Sequence, residues 1–353
     1  MEKRKKISLL TIFIICAFCA LLVFSFFLKE NNKNISNLFQ KISLEKKQLE
    51  SEKDQLKTLL EEETKKETIY RVTVVGDIML DRGVKTRVKQ NSGDYNFPFQ
   101  LMKSYFSNSD YVFANLEGSI SSVGADTGKP FSFRFEPAAA PALAAAGIDL
   151  VSLANNHILD WGRDSLCATT THLEKVNVAF VGAGCNNNQA EKSTLVTLGN
   201  TKIAFLAYTE FYQGAHATVT APGLSEYSMT KIREKIKALK EDEDVDLVFV
   251  SMHWGDEYKA RANNYQVTTG YKLVEMGADL VIGHHPHVKQ EIERYKNGWI
   301  IYSLGNFIFD QSWSKETMEG LMVDIFIQNK KIINLEPIDL LINKDFQPAI
   351  ETI

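Results

Sequence analysis

Hydrophobic and polar positions follow three different patterns along the chain. Residues 7–28 form an uncharged, strongly apolar run, and residues 29–68 are polar with widely spaced leucines and isoleucines. From residue 69 onward, short apolar runs alternate with segments that have one apolar face. These patterns predict a membrane-spanning helix, a polar stalk or linker, and a large domain over residues 69–345.

The apolar run is long enough to cross a bilayer, because a helix over residues 7–28 spans roughly 33 Å. A basic cluster precedes it, formed by Lys3, Arg4, Lys5 and Lys6. We therefore expect residues 1–6 to stay in the cytoplasm and the main domain to lie outside the cell. A cleaved signal peptide is the alternative, but residues 26–29 contain no small-residue cleavage site. The sequence thus predicts a single-pass protein of the cell membrane.

The polar segment has half of a coiled-coil pattern. Apolar residues recur every seven positions at Ile35, Ile42, Leu49 and Leu56. The adjoining heptad position is apolar at Leu38 and Leu59 but charged at Glu45 and Glu52. One interpretation is a helical stalk that forms a homodimer, and the other is a solvated single helix or loose linker. The two charged positions favour the second slightly.

The main domain has the alternation of an α/β protein. We expect strands at residues 70–76, 111–114, 148–153, 178–181, 202–208, 246–252, 279–282, 298–304, 320–327 and 332–341. We expect helices at residues 97–106, 137–146, 163–175, 229–240 and 264–276. Such an order predicts a largely buried sheet system covered by helices.

Composition excludes some classes of protein. The 353 residues carry a net charge of -4 and no basic stripe, which argues against nucleic-acid binding. The four cysteines are too few for a disulfide framework or a cysteine-rich zinc site. Two of them, Cys167 and Cys185, lie in the main domain, where they either form a disulfide or remain as buried thiols.

The polar residues with chemical potential lie where predicted strands end. Because the carboxyl ends of strands form the usual binding edge of an α/β sheet, six segments can deliver side chains to one place. The residues are Asp77, Asp81 and Arg82; Asn115 and Glu117; Asn155, Asn156, His157 and Asp160; His253, Asp256 and Glu257; His284, His285 and His287; and Asn306 and Asp310.

Carboxylates, imidazoles and amide oxygens are ligands of divalent metals such as manganese, zinc or iron. Each motif alone also has an ordinary structural explanation: Gly76-Asp77 as a turn, Asn155-Asn156-His157 as a helix cap, and His253 as a buried structural histidine. The tripeptide from His285 to His287 is harder to explain that way, because two imidazoles with one stiff spacer can reach one site. The joint pattern predicts a metal centre.

These segments resemble the CapA family of capsule and poly-γ-glutamate biosynthesis proteins, which belongs to the metallophosphatase-like fold group. The motifs that carry the resemblance lie within residues 71–310, and they are GDIMLDR, FANLEGSI, KPFSFRFEP, LANNHILDWG, MHWGDEY, GHHPHVKQ and YSLGNFIFD. The resemblance implies an α/β four-layer αββα sandwich. It also implies a role in making, exporting or anchoring an anionic capsule polymer such as poly-γ-glutamate, alongside membrane subunits of a polymer synthase.

The resemblance also implies roles for single residues. The metal ligands would be Asp77, Glu117, Asn156, His253, His285 and His287, and the catalytic residues would be His157, as general acid, and Asp160.

The wider phosphoesterase pattern has a histidine two residues after the first aspartate, where this chain has Met79. A thioether is a poor ligand for a hard divalent metal, so Met79 argues against a second metal position and against two-metal catalysis. A glutamate at position 117, in place of a bridging aspartate, is a second departure.

Three cations are candidates for substrate binding, namely Arg82, Lys129 and Arg134. An arginine can hold a carboxylate or phosphate through two hydrogen bonds. The alternative for residues 129–137 is an ordinary strand, with Phe131, Phe133 and Phe135 on its buried face and a solvated arginine on the other. Trp161 and Trp254 follow site motifs, and they either line the cleft or pack beneath it.

Two functional hypotheses remain open from the sequence. One is an extracellular metal-dependent hydrolase that cuts a phosphoester, or an amide or ester of a capsule polymer. The other is a non-catalytic accessory subunit that binds polymer or membrane partners. Met79 favours the accessory role, whereas His157 and the tripeptide from His285 to His287 favour the hydrolase. A free-standing nucleotidase is less favoured, because nothing resembles a nucleobase pocket.

Overall fold

A computed structural model describes the backbone of residues 3–212 and 214–351, and the side chains of residues 13–60, 63–64, 68–212 and 214–351. Residues 1–2 of the predicted cytoplasmic end and the side chains of residues 7–12 of the predicted membrane span lie outside this description. The chain divides into two compact units, Met1–Thr64 and Lys65–Ile353.

The described backbone of the first unit belongs to one helix, α1, over Lys3–Glu67, of which residues 65–67 are assigned to the second unit. All of its described side chains are exposed, including the apolar ones of residues 13–28. Among the described residues, this is the one helix long and apolar enough to cross a membrane, and its most apolar window has a mean hydropathy of 2.2. No glycine or proline interrupts residues 3–67, which agrees with a continuous helix.

The second unit contains seven further α-helices and eighteen strands within the described residues. The helices are α2 Arg82–Gln90, α3 Lys103–Phe106, α4 Ala139–Ala146, α5 Gly162–Lys175, α6 Asn187–Ala190, α7 Met229–Glu241 and α8 Asn264–Glu275, with 3-10 turns at Phe97–Phe99 and Glu316–Met318. The strands are β1 Tyr70–Ile78, β2 Tyr111–Leu116, β3 Ser119–Ile120, β4 Arg134–Phe135, β5 Leu150–Ser152, β6 Ala179–Val181, β7 Ala183–Gly184, β8 Thr194–Leu198, β9 Thr201–Thr209, β10 Gly223–Leu224, β11 Leu247–His253, β12 Leu280–His284, β13 Ile292–Tyr295, β14 Gly298–Ile301, β15 Asn306–Ile308, β16 Glu319–Gln328, β17 Lys331–Ile342 and β18 Pro348–Ile350.

Two large sheets organise the strands. The larger sheet has the order β18-β17-β16-β1-β2-β5-β6, with β15 also paired to β1. The smaller sheet has the order β13-β14-β12-β11-β9-β8. Strands β1, β2, β5 and β6 run parallel, as do β9, β11, β12 and β14, so each sheet has a parallel centre with one binding edge.

Alternating side chains pack the sheets into four layers. In β9, Ile203 and Phe205 face the core between the sheets, whereas Ala204 and Leu206 face the core that contains Ile232 of α7. A third core lies on the outer face of the larger sheet, beneath α4 and α5. Because neighbouring strand residues point to opposite faces, both faces of these strands are apolar. This arrangement confirms the predicted four-layer αββα sandwich.

One predicted helix was wrong, and the strand that was the alternative for residues 129–137 is formed only in part. Residues 97–106 form a 3-10 turn and the short α3 instead of one helix. The buried residues Phe99, Met102 and Phe106 are three and four positions apart, and this spacing fits two successive short turns as well as one helix. Residues 129–137 form only the two-residue β4, and Phe131 is 62% exposed. The N–H of Phe133 donates to the Asp160 carboxylate at 2.9 Å, which removes it from any strand ladder.

The main-domain cysteines pair. Cys167 in α5 and Cys185 after β7 form a disulfide, with their Cα atoms 5.2 Å apart. The other two cysteines, Cys16 and Cys19, are free and exposed on α1. Of the two alternatives that the sequence left open, the structure therefore has the disulfide.

Candidate metal centre

The two sheets bring their binding edges together, and the predicted ligands meet between them. The larger sheet supplies Asp77 from β1, Glu117 just after β2, and Asn156 after β5. The smaller sheet supplies His253 at the end of β11, and His285 and His287 just after β12. All of these side chains are buried except the half-buried Asn156. We call this group the six-residue cluster.

Short contacts connect the six-residue cluster. His287 Nδ1 lies 3.3 Å from Asp77 Oδ2, and His287 Nε2 lies 3.5 Å from Glu117 Oε1. His253 Nε2 lies 2.9 Å from Asn156 Oδ1, and the rings of His253 and His285 are 4.8 Å apart between centroids. The ligand atoms of Asp77, Glu117 and His287 all lie within 4.8 Å of one another, which is the spacing of groups that can hold one metal ion.

Close packing of the backbone around Gly76 fixes the position of the sheet edge that carries the cluster. A Cβ atom added at Gly76 would lie 2.0 Å from the carbonyl oxygen of Gly305, so only glycine permits β15 to run this close to β1. Asn306 is thereby paired with Asp77 in the ladder, and its Oδ1 lies 3.0 Å from His287 Nδ1. The backbone is also unusual here, because Arg82, His285 and His287 all have positive φ angles, a conformation that clusters at functional sites.

A buried amide joins the two carboxylates. Asn115 Nδ2 donates to Asp77 Oδ1 at 2.8 Å and lies 3.3 Å from Glu117 Oε2. Asn155 donates in turn to Asn115 Oδ1 at 3.2 Å, which fixes the orientation of the amide. A satisfied network of this kind holds the carboxylates in place without supplying a positive charge.

The two carboxyl groups have opposite pKa shifts. Burial raises the pKa of Asp77, but hydrogen bonds and electrostatic interactions with His284 and His287 outweigh burial and hold that pKa well below its ordinary value. Burial raises the pKa of Glu117 well above its ordinary value, and the negative charges of Asp77 and Glu257 raise it further. Two buried carboxylates this close repel each other unless a cation lies between them.

Two imidazoles of the six-residue cluster, those of His253 and His285, favour the neutral form that can bind a metal. Burial lowers the pKa of His253 well below its ordinary value, and the nearby imidazole of His285 lowers that pKa further. Burial likewise lowers the pKa of His285 to about 3, with a further contribution from His287. A neutral imidazole has a free lone pair, which is the form that binds metals.

Unpartnered buried atoms fit a cation. Within the described part of the chain, Glu117 Oε1 and His285 Nδ1 are buried and form no hydrogen bond. Leaving such groups unpaired is costly, and a divalent ion would satisfy both a carboxylate oxygen and an imidazole nitrogen. The donor set therefore fits a divalent metal.

The predicted catalytic residues form a chain of contacts beside the cluster. His157 Nε2 lies 3.8 Å from Glu117 Oε1, and His157 Nδ1 lies 2.6 Å from Asp160 Oδ2. Burial lowers the pKa of His157, while its hydrogen bond to Asp160 acts in the opposite direction. Lys129 Nζ lies 2.5 Å from Asp160 Oδ1 and 2.6 Å from the carbonyl oxygen of Asn156. Lys129 is therefore already paired within the protein.

The two predicted substrate-binding arginines also have internal partners. Arg82 forms an ion pair with Asp310, and its guanidinium lies 4.8 Å from the ring centroid of Phe133. Arg134 lies 3.5 Å from the ring centroid of Trp161. Arg82 keeps 30% of its side chain exposed, so a ligand can still reach it.

Two other residues that the sequence analysis singled out pack away from the cluster. Met79 is fully buried in the outer core of the larger sheet, and its Sδ accepts a hydrogen bond from the N–H of Asp81 at 3.1 Å. Trp254 is fully buried beneath the site, and its Nε1 donates to the carbonyl oxygen of Tyr302 at 2.9 Å.

Four residues have roles that sequence reasoning did not assign. Asn115 joins the carboxylates, Asn306 contacts His287, His284 Nδ1 lies 3.3 Å from Asp77 Oδ1, and Glu257 lies beside His285 and His287. All four belong to the strand-end segments, so position was the available signal. Which residues these four contact depends on the directions of their side chains, and hydrophobic periodicity gives no information about those directions.

Comparison with known proteins places the chain in a family. A family model described as Bacterial capsule synthesis protein PGA_cap matches residues 71–311. The capsule biosynthesis protein CapA of Bacillus anthracis is 33% identical over 280 residues, which cover 76% of this chain and 67% of that protein. The PGA biosynthesis protein CapA of Bacillus subtilis (strain 168) is 30% identical over 283 residues, covering 78% and 73% respectively.

Solved structures are more distant. A novel phosphatase from Mycoplasma pneumoniae has a TM-score of 0.45 and 15% identity, covering 78% of this chain and 94% of that one. A 5'-nucleotidase precursor from Thermus thermophilus has a TM-score of 0.46 and 10% identity, covering 80% and 56%. The match of the family model to more than half of the chain is decisive, and the chain belongs to the PGA_cap family of bacterial capsule synthesis proteins, which includes the CapA proteins.

Proposed function

We propose that this chain acts in the biosynthesis, export or anchoring of a poly-γ-glutamate capsule through a metal-dependent, hydrolase-like site. The observation that carries the proposal is the convergence of Asp77, Glu117 and His287, whose buried ligand atoms lie within 4.8 Å of one another. An anionic capsule polymer is the proposed substrate or cargo, in keeping with the capsule names of the relatives.

The six-residue cluster would hold one or two divalent ions of manganese, zinc or iron. An ion there would act as a Lewis acid on a phosphoryl or carbonyl oxygen. Three features support this assignment: the two buried carboxylates, the depressed pKa values of His253 and His285, and the unpartnered Glu117 Oε1.

Residues beside the cluster would perform the proton transfer. His157 is proposed to move a proton at Nε2, the nitrogen nearer to Glu117. Asp160 would hold the ring through Nδ1 and keep it oriented. Arg82 would bind an anionic group of the substrate, since it is near enough to Glu117 to lower the pKa of that residue and it remains partly exposed.

The long N-terminal helix is the proposed membrane anchor. Residues 7–28 would span the bilayer, with residues 1–6 in the cytoplasm and the main domain outside the cell. The apolar window of α1 and the preceding basic cluster support this topology. Membrane subunits of a polymer synthase are the proposed partners, since an anchored domain is confined to the same surface.

The test measures two quantities, namely the capsular polymer that cells produce and the hydrolysis of a phosphodiester by the purified protein. Cells that lack the chain are complemented with wild type, Asp77→Ala, His157→Ala or His172→Ala, and their capsular polymer is measured. Full-length purified proteins are assayed in parallel with bis(p-nitrophenyl) phosphate and added Mn²⁺. The proposal expects both readouts to fall for Asp77→Ala and His157→Ala but not for His172→Ala, which alters a histidine of α5 outside the cluster.

A non-catalytic accessory role is the second candidate, and Met79 favours it. Its thioether is buried in the core and accepts a backbone hydrogen bond, so it offers nothing to the metal cluster. This role predicts normal polymer levels with His157→Ala and no turnover of the phosphodiester by the wild type. Loss of polymer together with loss of turnover would reject it.

A further inference from the structure

We propose that Glu257 is a metal ligand that acts together with His285 and His287, an inference that rests on the proposed metal-dependent site. The ligand atoms of these three residues lie within 4.8 Å of one another. They form a second ligand group that shares His287 with the group of Asp77 and Glu117. The pattern of one carboxylate and two imidazoles suits a divalent transition metal.

An independent observation at His285 points to a missing partner. His285 is only 5% exposed, and its Nδ1 forms no hydrogen bond with any described residue. Its ring is fixed on one side by Phe211, with 4.3 Å between centroids. A buried imidazole with an unpartnered nitrogen is costly in a protein unless it binds a ligand.

The loop that carries Glu257 is fixed against the histidines. The N–H of Tyr258 donates to the carbonyl oxygen of Pro286 at 2.8 Å, which ties the loop directly to the segment between His285 and His287. The N–H of Gly255 donates to Glu210 Oε1 at 2.6 Å. Glu257 lies between these two anchors, so its backbone is held beside the site while its side chain remains exposed.

The neighbouring carboxylate is engaged elsewhere. Asp256 Oδ2 accepts a hydrogen bond from Asn263 Nδ2 at 2.8 Å, at the start of α8. Asp256 and Glu257 are adjacent in sequence and have the same charge, yet only Glu257 belongs to a ligand group with His285 and His287. Asp256 therefore provides a matched control for substitutions of Glu257.

Glu257 would also supply a donor that Met79 does not supply. Met79 is turned into the hydrophobic core and supplies no donor to the cluster. A carboxylate that reaches the shared His287 from another loop would restore one donor to the site. The chain would then keep its metal-binding capacity with a different ligand in a different segment.

The test measures metal binding by the full-length protein in detergent, stripped of metal and titrated with Co²⁺, whose visible absorption reports its ligands. Loss of a residue that merely orients a ligand costs about 10–100-fold in metal affinity, so loss of a direct ligand should cost at least tenfold. We expect Glu257→Gln to weaken Co²⁺ binding by that amount and to change the spectrum. Asp256→Asn should behave like wild type, and Glu257→His should recover binding with a new spectrum.

Each alternative result has a definite meaning. Equal Co²⁺ affinity and spectra for wild type, Glu257→Gln and Asp256→Asn would overturn the role of Glu257. If Asp77→Ala still lost Co²⁺ in that case, the proposed metal site would stand without Glu257. Absence of Co²⁺ binding by the wild type would overturn both the metal site and this inference.

Discussion

Lys129 Nζ lies 2.5 Å from Asp160 Oδ1, while the other oxygen of the same carboxylate lies 2.6 Å from His157 Nδ1. Asp160 is fully buried and the Lys129 side chain is 22% exposed. One carboxylate thus connects a cation to the proposed catalytic histidine. Lys129 is better suited to neutralising Asp160 than to binding substrate, since its ammonium already has two short oxygen contacts.

Replacing Lys129 with methionine should leave the buried Asp160 carboxylate without its lysine cation. Breaking a buried ion pair costs about 3–5 kcal/mol, and partial exposure of the lysine favours the lower end of that range. We expect Lys129→Met to lower the free energy of unfolding by about 3 kcal/mol, measured by denaturant titration. The double variant with Asp160→Asn should lose less than the sum of the single variants. Additive losses would contradict the pairing.

The amount of bound metal should depend on ligands from both sheets. We expect Asp77→Ala, from the larger sheet, and His285→Ala, from the smaller sheet, each to reduce bound metal as measured by elemental analysis. His172→Ala serves as the control, because His172 lies in α5 away from the cluster. Unchanged metal content in either of the first two variants would count against that residue as a ligand.

The disulfide should be detectable by counting thiols. Unfolded without reductant, the full chain should expose only the thiols of Cys16 and Cys19, whereas four should react after reduction. A bond that closes a loop of this length stabilises a domain by about 3 kcal/mol. We therefore expect the double variant Cys167→Ser, Cys185→Ser to unfold at lower denaturant concentration. Four reactive thiols before reduction would show that the pair is not formed in the isolated protein.

The membrane topology can be tested in intact cells. If residues 7–28 span the membrane with the basic end inside, a protease added outside should digest the main domain. The assay follows an epitope at the C-terminus by immunoblotting, with a cytoplasmic protein as the control for lysis. Protection of the epitope until the cells are broken would reverse the predicted orientation.

Hydrophobic periodicity predicted the long strands, whereas the four-layer order was implied by the resemblance to the CapA family. Both faces of β9 and β11 are buried, and their near-continuous apolar sequences indicate such strands directly. The pattern did not reveal β3, β4 or β15, because two or three residues are too few to establish a period. It also missed α2, whose buried positions are only Val84 and Val88.

The rule that binding residues follow the ends of strands identified the segments that form the site, but not the side-chain contacts within it. It drew attention to the segments of Asp77, Glu117 and His287, which the structure brings within contact distance. It did not reveal that Lys129 pairs with Asp160 across 31 positions of sequence. Such pairings depend on loop conformation and side-chain rotamers, on which the alternation of polar and apolar residues carries no information.

The cluster draws three side chains from each sheet, and this has a consequence for folding. An ion bound there would cross-link the two layers at their shared edge, so its binding free energy would add to the cohesion between the sheets. Substitutions deep in the intersheet core, such as at Phe249, would then weaken metal affinity from a distance. Conversely, a chelator would loosen the sandwich as a whole.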